Sequence, residues 1–130
     1  MNILLIDDDK SFLFVNSLIL GKLKYINNIN KHSNVQDAVS FIKSDFEKEG
    51  RIPDLILLDI NMPVLDGFDF LHLVQDFRED LKKKLKVAML TSSIDPRDKQ
   101  LSFKFPQVIE FFEKPLNLEK FESTIKRISN

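Results

Sequence analysis

Apolar positions along the chain fall into two alternating kinds of segment. Ile3–Ile6, Leu55–Leu58 and Val87–Leu90 are unbroken apolar runs of four residues. They are too short for helices and read as strands buried on both faces. Val108–Phe112 reads the same way apart from Glu110, and Tyr25–Asn30 is a weaker strand, with Tyr25, Ile26 and Ile29 among asparagines. Between these runs the apolar spacing becomes helical. Ser11–Leu23 carries Phe12, Val15, Ile19 and Leu23 on one face, with Gly21 near its end. Val35–Glu49, capped by Ser33 or Asn34, carries Val35, Ala38, Val39, Ile42 and Phe46. After an Asp66-Gly67 turn, Phe68, Leu71, Val74 and Phe77 give a third amphipathic helix. Arg78–Lys86, with Lys82-Lys83-Lys84, reads as a solvated charged stretch. Pro96–Phe105 is a short helix that Pro106 ends, and Asn117 caps a last helix with Leu118, Phe121, Ile125 and Ile128 on one side. Strand and helix alternate five times. The pattern predicts an α/β fold: a five-stranded parallel sheet, (βα)5, doubly wound with helices on both faces.

Composition adds exclusions. The 130 residues suit one domain, with no linker, repeat or low-complexity stretch and no second, output domain expected. The formal net charge of −1 gives no support to nucleic-acid binding or to an anionic membrane surface. There is no cysteine, so disulfides, thiolate metal sites and thiol catalysis are excluded, and a reducing compartment fits. The first apolar run is too short for a signal peptide or membrane span, so a cytoplasmic location is expected. Three glycines leave no glycine-rich phosphate loop. The twelve phenylalanines read mainly as core.

The chemistry collects at strand ends. In open α/β sheets, ligands bind at the carboxyl ends of the strands. The first strand runs into Asp7, Asp8 and Asp9, the third into Asp59, the fourth into Thr91, and the fifth into Glu113-Lys114-Pro115. A lone aspartate there is usually a cap or turn former. Four strands agreeing is a stronger signal: carboxylates, a hydroxyl and an ammonium share one rim. Clustered carboxylates without cysteine suit a hard cation such as Mg²⁺ (or Mn²⁺). A carboxylate beside that cation can be a nucleophile toward a phosphoryl group. His32 and His72 stand apart from the acids and read as structural.

The stretches "ILLIDDDK", "PDLILLDINMPVLDGFDFL", "VAMLTSS" and "FFEKPL" together resemble the receiver domain of two-component response regulators, over essentially the whole chain. The resemblance implies a flavodoxin-like strand order, 2-1-3-4-5. It implies Asp59 as the phosphate acceptor, and Asp7, Asp8, Asp59 and the backbone carbonyl of Asn61 as Mg²⁺ ligands. Asp9 would cap the first helix. Thr91 would hydrogen-bond the phosphoryl group and Lys114 would pair with it, across a cis Lys114–Pro115 peptide. Thr91 and Phe111 would form the switch, the ring turning inward as Thr91 moves. The implied function is a single-domain phosphorylation switch rather than a turnover enzyme. Its donor would be a sensor histidine kinase or a histidine phosphotransfer protein, and its output contact with a downstream protein or onward phosphorelay. A monomer or weak dimer is expected, with neither nucleic acid nor membrane as partner.

Three features depart from the family pattern. Ser92 stands where a small Ala or Gly is usual. Phe111 lacks a tyrosine hydroxyl, so a switch there works by packing. "LSFKFPQVIEF" lacks the usual small residues before the fifth strand. Within the family, "MLTSSIDPRD" is most similar to stand-alone receivers paired with phytochrome-type kinases. A hydrolase of the haloacid-dehalogenase type also uses an Asp nucleophile and Mg²⁺, but it has Asp where this chain has Asn61. A non-phosphorylated scaffold would not need the complete acid set.

Overall fold

The apolar runs become five parallel strands in a computed structural model that describes residues 1–92 and 95–129. In chain order these are β1 (Asn2–Ile6), β2 (Asn28–His32), β3 (Leu55–Asp59), β4 (Val87–Thr91) and β5 (Val108–Glu113). Helices α1 (Lys10–Gly21), α2 (Val35–Glu49), α3 (Gly67–Val74), α4 (Glu79–Lys82), α5 (Pro96–Ser102) and α6 (Leu118–Ser129) fill the connections. The sheet order is β2-β1-β3-β4-β5, the doubly wound order expected. Ser93, which the sequence places just after β4, lies outside the described residues.

Alternate side chains of each strand feed two cores. Leu4, Ile6, Ile56, Leu58, Val87 and Met89 pack with α2, α3 and α4. Ile3, Leu5, Leu55, Leu57, Ala88 and Leu90 pack with α1 and α6. Burial on both faces explains why these strands read as continuous apolar runs.

Four local readings change. β2 is shifted toward the C-terminus, because pairing of Asn2 with Asn28 and of Ile6 with His32 sets its register. Ile26 is buried ahead of the strand instead of lying in it. Helix α1 buries Leu13, Asn16 and Leu20, whereas Val15 and Ile19, assigned to the core from spacing, are exposed. The helix is apolar nearly all round, so spacing could not choose its face. Arg78–Lys86 is not simply solvated: it forms α4, and Leu81 and Leu85 are buried. Asp66-Gly67 is a helix start rather than a free turn. Asp66 accepts from the Asp69 N–H while Asp69 accepts from the Asp66 N–H, a reciprocal capping box.

Candidate functional site

The sheet brings the acids together because β1 and β3 are hydrogen-bonded neighbours. Ile6 pairs with Leu58, so the chain leaves both strands at the same level, at Asp7 and Asp59. Asp7 and Asp59 are buried and Asp8 is exposed. One oxygen from each of Asp7, Asp8 and Asp59 lies within 4.8 Å of the other two. Asp9 stands outside this set. Its side chain accepts from the Phe12 N–H at 3.1 Å and caps α1, as expected.

The opposing charge comes from the end of β5. Pairing of Thr91 with Glu113, and donation from the Lys114 N–H to the Thr91 carbonyl at 2.8 Å, hold Lys114 beside β4. The Lys114–Pro115 peptide is cis. The ammonium reaches across the rim, 2.6 Å from Asp7 Oδ2 and 3.6 Å from Asp59 Oδ1. It also sits 4.4 Å from the centre of the Phe12 ring, a cation–π contact. Thr91, at the end of β4, is fully buried.

Three carboxylates face one ammonium, and this imbalance is visible at Asp59. Its carboxyl is pushed up from 3.8 to about 7. Burial is the main cause, followed by the Asp7 charge. Lys114 opposes the rise, a hydrogen bond with Asp8 adds to it, and the Asn61 N–H opposes it. That N–H lies 3.4 Å from Asp59 Oδ1.

The donor set fits a hard divalent cation. It offers only oxygen ligands from acidic side chains, with uncompensated negative charge. Asp7 Oδ1 accepts the Asp9 N–H at 2.9 Å. Asp7 Oδ2 is buried with no aligned hydrogen bond; the Lys114 contact is close but ionic. An acceptor in that condition suits a ligand that needs no donor angle.

Phe111 lies on β5, paired with Met89, and its ring is already turned into the core packed by α2 and α3. Ser92 is exposed immediately after Thr91. His32 packs against Phe41 and His72 against Phe105; neither belongs to the acidic set.

Two residues important to the site were not singled out from sequence. Phe12, read as core, lies against the ammonium of Lys114. Gly67 donates its N–H to the Ile60 carbonyl at 2.9 Å, and a Cβ there would come within 2.6 Å of the Asp59 carbonyl oxygen. The glycine therefore lets the start of α3 close against the backbone of Asp59. The Asp66-Gly67 dipeptide was the available signal, but the close approach belongs to tertiary structure.

Residues 3–126 match the response regulator receiver domain family. Two-component response regulator ARR10 of Arabidopsis thaliana is 27% identical over 123 residues, 95% of this chain but 20% of ARR10. This chain thus spans only a small part of that relative. The crystal structure of a two-component response regulator from Cytophaga hutchinsonii superposes with a TM-score of 0.91 at 29% identity, covering 99% of this chain and 96% of that one. The bacteriophytochrome response regulator RtBRR gives a TM-score of 0.80 at 28% identity, covering 99% of this chain and 78% of its own. With the strand order and the rim of acids already in place, the match over residues 3–126 shows that the chain belongs to the response regulator receiver domain family.

Proposed function

We propose that this receiver domain is switched by phosphorylation of Asp59, with Mg²⁺ (or Mn²⁺) held by Asp7, Asp8, Asp59 and the backbone carbonyl of Asn61. The supporting observation is the convergence of three carboxylates within 4.8 Å and of Lys114 on the same rim. When bound, the cation supplies neutralisation of the charge carried by carboxylates and phosphoryl oxygens.

The remaining chemistry belongs to the chain. The donor is a phosphohistidine on a sensor histidine kinase or phosphotransfer protein. A deprotonated Asp59 oxygen bonds to phosphorus as the P–N bond breaks, and the imidazole keeps the electron pair. Burial keeps bulk water from Asp59, and the Asn61 N–H orients one of its oxygens. Lys114, now shared between Asp7 and Asp59, is placed to pair with the new phosphoryl group. Thr91 supplies a hydroxyl at the end of the adjacent strand. Phe111 is buried in the core, so its part in the switch works through packing. Output passes to a downstream protein or onward by phosphorelay. The domain promotes its own phosphoryl transfer and is not a turnover enzyme. A cytoplasmic location belongs to the same proposal; among the described residues no helix is long and apolar enough to cross a membrane.

Incubation with acetyl phosphate and Mg²⁺, followed by intact-mass measurement, tests the reading. The wild type gains about 80 Da and Asp59→Asn does not. No gain by the wild type, or an equal gain by the variant, refutes it.

A further inference from the structure

A polar pocket lies at the opposite end of the sheet from the acids. Parallel pairing of β1 with β2 sets Asn2 beside Asn28, Leu4 beside Asn30 and Ile6 beside His32. Asn2, Leu4, Asn28 and Asn30 face the second half of α2 across about 140 Å³ of open space. The other strands cover this side of the sheet with Ile6, Ile56, Leu58, Val87 and Met89. β2 brings Asn28, Asn30 and His32 to the equivalent places. His32 packs against the Phe41 ring, but the two asparagines have no such use. Polar residues at positions that call for apolar ones mark a site with a task other than packing.

The lining says what fits. Among the described residues, no protein group hydrogen-bonds the side-chain amides of Asn2, Asn28 or Asn30. Each offers an N–H pair and a carbonyl, so the ligand must carry both donors and acceptors. Arg51 donates to Asp45 from Nε and Nη2, at 3.1 and 2.9 Å, so the two charges at the pocket cancel and favour a neutral ligand. Leu4, Phe41, Ile52 and Pro53 supply apolar walls, which suit the faces of a flat ring. A cavity needs about 10–15 Å³ of such space to hold one water, so this one has room for roughly ten non-hydrogen atoms. That is the size of two fused rings and well below the volume of a drug-sized site.

We propose that this pocket binds an aminopurine base of the adenine type, its polar edges held by the carboxamides of Asn2, Asn28 and Asn30. A carboxamide matches the amino group and neighbouring ring nitrogen of adenine in a bidentate pair, donating to one and accepting from the other. The site does not depend on the phosphoryl-transfer reading, and either can fail alone.

NMR titration of the isotope-labelled protein with adenine, to about 5 mM, tests it over the range expected for so small a ligand, a Kd on the order of 0.1–1 mM. The side-chain amide signals of Asn2, Asn28 and Asn30 shift and saturate, while the backbone amides of Asp8 and Asp59 stay in place. Adenosine in place of adenine separates the sources of the base: equal or tighter binding supports a nucleoside ligand, and weaker binding the free base. Asn30 is half-buried, and Asn30→Leu extends the apolar cover beside Leu4. This variant weakens adenine binding about tenfold or more, with an unchanged or higher thermal midpoint and unchanged labelling of Asp59 by acetyl phosphate. Asn28 is exposed, so Asn28→Ala folds normally and weakens binding several-fold. Indole has the same shape with one N–H and no acceptor, and leaves the asparagine signals unmoved. A wild type whose asparagine side-chain signals do not saturate with adenine overturns the proposal. Equal binding of adenine by both variants, or of indole by the wild type, also overturns it.

Discussion

Asp59→Asn removes a carboxylate buried beside Asp7 and should stabilise the metal-free protein in a pH-dependent way. The wild-type carboxyl is pushed up from 3.8 to about 7 on folding, because it is buried beside Asp7. Between those values the folded chain holds a proton that the unfolded chain has released. The contribution of Asp59 to wild-type stability therefore falls as pH rises through this window, by about 1.4 kcal/mol per pH unit. A rise of about three units amounts to about 4 kcal/mol, reached near pH 7 and constant above it. Asparagine keeps the shape and an acceptor for the Asn61 N–H but cannot ionise, so the variant lacks this slope. The other titrating groups are common to both proteins and largely cancel in the difference. Urea unfolding in EDTA, followed by circular dichroism because the chain has no tryptophan, measures it. The two proteins should be nearly equal at pH 4, and the variant more stable by up to about 4 kcal/mol at pH 7.5. Saturating Mg²⁺ should close the gap at pH 7.5 by stabilising the folded wild type. A stability difference that does not change with pH, or a variant less stable at pH 7.5, would refute the reasoning.

The neighbouring aspartates should separate cleanly: Asp8→Ala abolishes Mg²⁺ binding in an NMR titration. Asp9→Ala leaves it nearly unchanged and costs about 1 kcal/mol in unfolding free energy through loss of the α1 cap. Gly67→Ala should lose most phosphorylation by acetyl phosphate while remaining folded, because the added Cβ meets the Asp59 carbonyl oxygen at 2.6 Å and forces the acceptor loop away from α3. Normal labelling of Gly67→Ala would contradict that close approach. Val64 has a φ of 68° and is 89% exposed, so Val64→Gly should stabilise the protein by about 1 kcal/mol in thermal or urea unfolding.

Several parts of the fold follow from local chemistry. Ile3–Ile6, Leu55–Leu58 and Val87–Leu90 can satisfy their apolar side chains only in strands covered on both faces, and they do. Asn34, Asp9 and Asn117 accept from backbone N–H groups three residues on, an interaction within one turn that needs no distant partner. The acids and Lys114 were legible at strand ends because a parallel sheet collects those ends on one side.

Tertiary structure decided what local pattern left open. Helix α1 is apolar nearly all round, so only packing against β1 and α6 could select Leu13, Asn16 and Leu20 for burial and leave Val15 and Ile19 outside. β2 took its register from β1 because its own sequence, Asn-Ile-Asn-Lys-His, has too little apolar contrast to set one. The charged segment after α3 yielded Leu81 and Leu85 to the core. At the site, residue types alone named the acids and the lysine. The raised pKa of Asp59, the 2.6 Å approach of Lys114 to Asp7, the Phe12 ring beneath that ammonium and the need for hydrogen at Gly67 arise between segments far apart in the chain. Burial, charge spacing and backbone clearance are properties of those assembled neighbours, so they exist only once the sheet has closed around them.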